Sequence, residues 1–183
     1  RYLFGNTASL FQTLEAHGGD VTFVDATDAR AVEAAVTPRT RLVFVETIAN
    51  PRTQVADLAG IAEVCARHGL VYVVDNTMTS PWLFRPSTVG ASLVVNALTK
   101  YIGGHGNALG GSVTDTGLYD WTKFPGIAPN YRGAAPAMWG LTQIRKKGLR
   151  DWGGTLSAEQ AHHIAVGSET LALRMDRTCA NAQ

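Results

Sequence analysis

Two charged residues follow short apolar runs and lie 25 positions apart in the chain. Asp75 comes directly after the apolar run at residues 71–74, and Lys100 comes shortly after the run at 93–95. A carboxylate that follows a buried strand needs a cation or hydrogen-bond donors to offset its desolvation, so we expect a positive partner near Asp75. Ligands of open α/β sheets bind beyond the carboxyl ends of the strands. We therefore expect Asp75 and Lys100 to share one crevice.

An acid at one strand end and an amine at another fit the chemistry of pyridoxal phosphate. In that chemistry a lysine forms a Schiff base, and a carboxylate keeps the pyridine nitrogen protonated so that the ring accepts electrons. The spacing alone leaves a simpler interpretation open, because such an aspartate often forms a turn and a single lysine is often a surface charge. A dinucleotide-binding loop is a poorer alternative, since Gly104, Gly106 and Gly110 lack the GxGxxG spacing and precede a strand-like run.

The other chemically versatile side chains are expected to be structural. Cys65 lies on an apolar helical stripe, and neither it nor Cys179 belongs to a CxxC or Cys/His metal-binding pattern. We expect both to be buried free thiols, and we expect no metal site. His105 lies among glycines that let the backbone turn behind Lys100, and His162 and His163 are expected on a helix surface.

The elements that must position these residues alternate along the first 115 positions. Helices are predicted from Ser9 to Ala16, from a cap at Asp28 to Val36, and from a cap at Asp57 to Gly69. Strands are predicted at residues 21–24, 42–45, 71–74, 93–95 and 110–113. Short connections between these elements predict an α/β fold with a mostly parallel sheet flanked by helices.

Beyond Thr116 the apolar periodicity weakens, and then helical patterns return. Trp121 and Phe124 are expected to be packing anchors in an irregular segment. Ser157 and Gln160 have the spacing of a capping box, and residues 168–177 are predicted to be helical.

Composition describes an ordinary globular chain and excludes several classes. The 183 residues are 45% hydrophobic and 17% charged, with 16 basic and 15 acidic residues interspersed, so no basic patch predicts nucleic acid or an anionic membrane as a partner. The longest apolar run, at residues 70–74, is far short of the roughly 20 residues that a membrane span needs. We expect a cytoplasmic protein. Because the chain begins at Arg1 rather than Met, we also expect it to start partway through a larger protein.

Several segments together resemble one enzyme family. They are VVDNTMTSPWLFRPSTVGASLVVNALTKYIGGHGNALGG at 73–111, VFVETIANP at 43–51, YLFGNT at 2–7 and SETLALRM at 168–175. They resemble the Cys/Met-metabolism family of pyridoxal phosphate enzymes, which includes cystathionine γ-synthase, homoserine-ester sulfhydrylases, and cystathionine and methionine lyases. The resemblance implies a fold-type I large domain.

The resemblance also implies roles for particular residues. Lys100 matches the Schiff-base lysine, which later moves protons between substrate carbons, and Asp75 matches the partner of the pyridine nitrogen. Thr77 matches the residue that packs on one face of the ring, and Thr99 matches a hydroxyl donor to the cofactor phosphate. Asn50 is similar to an asparagine near the ring oxygen of the cofactor.

Two positions depart from the family pattern. Ala97 stands where the family usually has a serine, so one phosphate donor is absent. Phe4 matches the ring-stacking position, which is usually tyrosine, and keeps the stacking but not the hydroxyl group. The segment YDWTKFPGI at 119–127 is similar to the FDW-x-KFP segment of the sulfhydrylase branch.

The resemblance implies a reaction and a domain division. Residues 1–150 would be the cofactor-binding large domain without its N-terminal part, and residues 151–183 would lead towards a missing small domain. The expected enzyme is a transferase for γ-replacement on an O-acyl-homoserine with sulfide or cysteine. The alternatives are a methionine or cystathionine γ-lyase, or a truncated homologue without activity.

The expected partners follow from the same resemblance. They are an amino acid substrate and further copies of the chain, as a dimer or a homotetramer. The family's Tyr-x-Arg phosphate clamp, Gly-Met loop and C-terminal arginine for the substrate carboxylate all fall outside these 183 residues.

Overall fold

A computed structural model describes residues 2–183, and Arg1 lies outside the described residues. Four strands form one sheet in the order β1 (Leu42–Glu46), β2 (Val71–Asp75), β3 (Leu93–Ala97) and β4 (Gly111–Asp115). The first three strands are parallel, and β4 runs antiparallel to β3. The carboxyl ends of the three parallel strands therefore meet at one edge of the sheet. The predicted α/β class with a mostly parallel sheet flanked by helices is confirmed.

The helices lie close to where their sequence signals predict them. They are α1 (Gly5–Ala16), α2 (Ala29–Ala34), α3 (Leu58–His68), α4 (Ser80–Leu83), α5 (Trp139–Gln143), α6 (Ala158–Ser168) and α7 (Leu171–Ala182). Both predicted aspartate caps form, because Asp28 accepts from the Arg30 N–H at 2.9 Å and Asp57 accepts from the Gly60 N–H at 3.0 Å. Gly69 ends α3 with a φ of 64°.

The segment between β4 and α6 is irregular, as the sequence indicates. It contains short 3-10 turns at Trp121–Lys123, Pro129–Tyr131 and Pro136–Met138, and a π-helical stretch at Ile144–Asp151 that continues α5. A further 3-10 turn, Pro86–Val89, precedes β3.

Two apolar clusters cover the two faces of the sheet. Tyr72 and Val74 of β2 pack with Ile61, Val64 and Cys65 of α3 on one face. The alternate residues of β2, Val71 and Val73, pack with Leu93, Trp121 and Ile127 on the other face. A strand buried on both faces accounts for the continuous apolar run that predicted it. The roles of Trp121 as a packing anchor and of Cys65 as a core residue are confirmed.

Three local predictions differ from the structure. Residues 21–24 are not a strand; together with residues of β1 they line a groove of about 870 Å³. Cys179 is exposed rather than buried, although Met175, one turn earlier on α7, is buried. Ser157 accepts from the Gln160 N–H at 3.2 Å, but the Gln160 side chain accepts from Leu109, so only half of the capping box forms.

Among residues 2–183, no helix has both the length and the apolar character that crossing a membrane requires.

The core on the α3 face gives a stability prediction. Ile61 is completely buried, so Ile61→Ala removes buried apolar volume and leaves a cavity, and we expect it to lower the free energy of unfolding by about 2 to 5 kcal/mol. Leu118 is 59% exposed, and Leu118→Ala is the matched control, expected to change that free energy by less than about 0.5 kcal/mol. Urea denaturation of both variants checks this, and equal losses would contradict the assignment of Ile61 to the core.

Candidate active site

A cavity of about 890 Å³ lies at the carboxyl ends of β1, β2 and β3. The loop that precedes α1, the turn that follows β3 and the helix α7 complete its walls. The structure brings all of the predicted site residues into this one cavity, namely Phe4, Asn50, Asp75, Thr77, Thr99 and Lys100. The crevice that the strand-end argument predicts for Asp75 and Lys100 is therefore present.

Asp75 is held by the residue that lies two positions after it. Its Oδ1 accepts hydrogen bonds from the Thr77 backbone N–H at 2.9 Å and from the Thr77 hydroxyl at 2.5 Å. The same hydroxyl oxygen accepts from the Ala97 N–H at 2.8 Å. Thr77 therefore joins the ends of β2 and β3 and fixes the orientation of the Asp75 carboxylate. These bonds use Oδ1, and Oδ2 takes no part in them.

Lys100 lies in a tight turn after β3. The turn is closed by backbone hydrogen bonds from Lys100 N–H to Ala97 O at 3.1 Å and from Gly104 N–H to Lys100 O at 2.7 Å. Gly104 has a φ of 72°, a left-handed conformation that a residue with a side chain rarely adopts. The glycines thus let the chain turn back behind Lys100, as the sequence predicts, and leave that residue exposed at the cavity wall.

Thr99 and Ala97 differ in what they can offer an anion. The Thr99 hydroxyl accepts from the Gly110 N–H at 3.0 Å and lies 3.3 Å from the Gly110 carbonyl, so it also ties the turn to the chain that enters β4. Ala97 lines the cavity but has no polar side-chain atom. Of these two positions, only Thr99 can supply a hydroxyl donor.

Sequence reasoning assigned no role to Glu46, although it lies in the same motif as Asn50. This carboxylate is 7% exposed and accepts from the Phe4 N–H at 2.7 Å through Oε1 and from the Asn50 N–H at 3.0 Å through Oε2. Glu46 is also the register partner of Asp75 in the sheet. Burial is the main cause that raises the pKa of Glu46, the two N–H donors oppose it, and the charge of Asp75 raises it further.

A second omission lies on α7, which supplies Leu173, Arg174, Arg177 and Thr178 to the cavity wall. The signal was present, because Arg174 and Arg177 are three apart and share a helix face. Tertiary packing decides which loop this face of the helix contacts. The sequence alone therefore gave no reason to assign the two arginines to the site.

A family model matches the chain over residues 1–183, that of the Cys/Met metabolism PLP-dependent enzymes. The chain belongs to this family. Pyridoxal phosphate, the cofactor predicted from the strand ends and from the resemblance, is thereby confirmed as the cofactor of the family.

Curated relatives and solved structures agree with this assignment. L-Methionine gamma-lyase of Pseudomonas putida is 40% identical over 99% of this chain and 42% of that protein. O-Acetyl-L-homoserine sulfhydrylase of Corynebacterium glutamicum is 41% identical over 98% of this chain and 45% of that protein. The chain thus spans less than half the length of these relatives.

Two solved structures show the same fold. The O-acetylhomoserine sulfhydrylase of Wolinella succinogenes superposes with a TM-score of 0.85 at 43% identity, over 93% of this chain and 48% of that one. A Campylobacter jejuni structure that contains N'-pyridoxyl-lysine-5'-monophosphate gives a TM-score of 0.84 at 29% identity, over 94% of this chain and 46% of that one.

The residues of the cavity fit this cofactor. A lysine, an oriented carboxylate and an aromatic ring lie around one space at the strand ends, and these are the groups that an aldehyde, a pyridine nitrogen and a flat ring require. The fit is incomplete at the phosphate, because Ala97 offers no donor and the Thr99 hydroxyl donates to the Gly110 carbonyl at 3.3 Å.

Glu46 gives a pH-dependent prediction. Its pKa is raised in the folded protein, so its contribution to stability is complete below the unfolded value near 4.5 and is lost as the pH rises through the folded value. Glu46→Gln removes this titration. We therefore expect the difference in free energy of unfolding, wild type minus variant, to decrease as the pH rises from 4 to 7. Urea denaturation across that range measures it, and a difference that increases with pH would contradict the raised pKa.

Proposed function

We propose that this chain is the cofactor-binding region of a pyridoxal phosphate-dependent enzyme that catalyses γ-replacement on an O-acyl-homoserine with sulfide or cysteine. The observation that carries the proposal is that the cavity combines Lys100, the oriented carboxylate of Asp75 and the ring of Phe4. Family membership and the sulfhydrylase relatives support it. Residues 1–150 would form the large domain, and residues 151–183 would lead towards a second domain.

Each residue has a proposed task at a stated atom. The amine of Lys100 would hold the cofactor covalently and, after release, move a proton from the α-carbon of the substrate. The carboxylate of Asp75 would hold the proton on the pyridine nitrogen, while Thr77 keeps that carboxylate in place. When bound, the cofactor supplies an electron sink for the carbanion at the α-carbon.

The remaining site residues would bind rather than react. The ring of Phe4 would stack on the cofactor ring, and its backbone is held by Glu46. Asn50, held by the other oxygen of Glu46, would contact the ring oxygen of the cofactor. Thr99 would turn its hydroxyl hydrogen from the Gly110 carbonyl to the phosphate while still accepting from the Gly110 N–H.

The proposed reaction exchanges one bond at the γ-carbon for another. The bond between the γ-carbon and the ester oxygen breaks and releases a carboxylate, and a bond between the γ-carbon and sulfur forms with hydrosulfide or with the thiolate of cysteine, the thiol proton having passed to the solvent. A carboxylate is stable as an anion near neutral pH, so its departure needs no proton from the protein. This suits a site in which Phe4 replaces a hydroxyl-bearing residue.

Methionine γ-elimination is the second candidate, because the Pseudomonas putida lyase is 40% identical to the chain. There the leaving group is a thiolate, which is more basic than a carboxylate and gains more from a proton donor. Phe4 has an apolar ring without a donor. The ester reaction is therefore favoured over the lyase reaction.

The assembly and the location belong to the same proposal. The substrate would be a small amino acid derivative, and the complete protein would be a homo-oligomer, a dimer or a homotetramer, in the cytoplasm. The support is the resemblance to a family in which a neighbouring subunit supplies a phosphate clamp.

The assignment of Lys100 has a direct test. Borohydride reduction of the protein loaded with pyridoxal phosphate should place the pyridoxyl group on the peptide that contains Lys100, as read by peptide mass mapping. Lys100→Ala should abolish the label. A label on Lys123, Lys146 or Lys147 in the wild-type protein would contradict the assignment.

The reaction preference is tested by comparing kcat/KM for O-acetyl- or O-succinyl-homoserine with sulfide against kcat/KM for methionine. We expect the wild type to favour an ester. Phe4→Tyr is the informative variant: the restored hydroxyl should raise methionine cleavage by about 100-fold or more, in the range of general acid catalysis, and change ester replacement less. Faster cleavage of methionine than replacement on both esters, in the wild type, would favour the lyase instead.

A further inference from the structure

We propose that Arg174 of α7 is a positioning residue for Lys100, because its guanidinium fastens the chain segment directly after Lys100 to the start of α7. The inference rests on the proposed function in one respect, which is that Lys100 is the lysine that holds the cofactor. Arg174 itself would not react. It would determine where the turn that carries Lys100 is held.

The contacts of Arg174 join two parts of the chain that are far apart in sequence. Nη1 donates to the carbonyl of Tyr101 at 2.5 Å, and Nη2 donates to the carbonyl of Ile102 at 3.2 Å. On the other side, Nη2 also donates to the carbonyl of Gly167 at 2.8 Å, and Nε donates to the Thr170 hydroxyl at 3.0 Å. Four of the five N–H groups of the guanidinium are thus used.

These contacts complete the hydrogen bonding of the turn. The N–H groups of Gly103 and Gly104 donate to Leu98 O and Lys100 O within the turn itself. The carbonyls of Tyr101 and Ile102 point the other way and are bound by Arg174. A planar fork can bind several carbonyls at once, and a lysine ammonium at the same place could not reproduce that geometry. Removal of Arg174 should therefore loosen this turn in particular.

The turn after Lys100 packs tightly against helices α6 and α7. A Cβ at Gly104 would overlap the guanidinium of Arg174, and a Cβ at Gly167 would overlap the carbonyl of Gly103. The Gly103 carbonyl also lies 2.7 Å from Nδ1 of His105. The turn is thus enclosed by the junction of α6 and α7, with Arg174 as the polar contact that joins them.

Helix α7 also contacts the segment that follows β2, at a residue that does not line the cavity. The indole N–H of Trp82, in α4, donates to the carboxylate of Asp176 at 2.7 Å. This contact joins α7 to the segment after Asp75 without involving the turn at Lys100. Trp82→Phe therefore removes a hydrogen bond from α7 of comparable length, and it is the matched control for variants of Arg174.

The experiment compares Arg174→Ala, Arg174→Lys and Trp82→Phe with the wild type. The first readout is hydrogen exchange at the amides of Gly103 and Gly104 in the holoenzyme. The second readout starts from the apoprotein and is the rate at which added pyridoxal phosphate becomes fixed on Lys100, as trapped by borohydride. We expect these amides to exchange at least 10-fold faster in both Arg174 variants than in the wild type, and the cofactor to be captured about 10-fold more slowly. We also expect kcat to fall by a larger factor than the factor by which KM changes. Trp82→Phe should leave both the exchange and the capture unchanged.

Added methylguanidinium should restore slow exchange and fast capture in Arg174→Ala and have no such effect on the control. Unchanged exchange and capture in both Arg174 variants would overturn the proposal, as would equal effects in Trp82→Phe. If Arg174→Ala does not fold, Arg174→Lys decides by the same two readouts. If the wild type fixes no cofactor on Lys100, the proposed function fails, while the exchange data still decide whether Arg174 holds the turn.

Discussion

The hydroxyl of Thr77 is the contact on which the geometry of the site depends most. It donates to the carboxylate of Asp75 and accepts from the N–H of Ala97, so it crosses from the end of β2 to the end of β3. The backbone hydrogen bond from Asn76 N–H to Val95 O, 2.8 Å long, joins the same two strand ends, and the Thr77 side chain adds a contact at the level of the cavity. This side-chain contact therefore fixes the Asp75 carboxylate relative to the end of β3, from which the turn that carries Lys100 begins.

Most of the framework around this contact could be predicted from local sequence. The buried strands are short apolar runs, and the helices begin at Asp28 and Asp57 because an aspartate can accept from the free N–H groups of the first turn. The strand-end rule then brought Asp75 and Lys100 together without further information. These predictions succeeded because each depends on residues that are close in sequence or on a general property of parallel sheets.

The features that sequence reasoning missed all depend on distant contacts. Residues 21–24 have the composition of a strand, but whether such a run becomes a strand depends on its tertiary surroundings rather than on its own sequence. Glu46 is recognisable as a site residue only when α1 brings the N–H of Phe4 to it, 42 positions away in sequence. Arg174 is recognisable as a positioning residue only from its hydrogen bonds to carbonyls more than 70 positions earlier in the chain. Sequence periodicity does not predict such long-range contacts.

The two carboxylates at the sheet edge show how the fold separates roles between similar groups. Glu46, which is buried, and Asp75, which is half-buried, are register partners, and two negative charges side by side repel each other. Burial and the neighbouring charge raise the pKa of Glu46, while its two oxygens hold backbone N–H groups. In Asp75 instead, Oδ1 accepts from Thr77, and Oδ2 does not take part in that contact. The first carboxyl group thus organises the walls of the cavity, and the second remains available to a ligand.

The phosphate of the cofactor imposes a requirement that the side chains after β3 meet only in part. Position 97 has no hydroxyl, its N–H is bound by Thr77, and the hydroxyl of Thr99 is shared with Gly110. The hydrogen bond that a hydroxyl at position 97 would give to a charged acceptor is missing, and such a bond contributes about 1.5 to 3 kcal/mol, which corresponds to a loss of affinity of roughly 10-fold or more. Tight binding by the complete protein therefore requires phosphate donors from outside these two side chains. In the function that we propose, the turn after β3 would contribute covalent attachment through Lys100 more than anion binding.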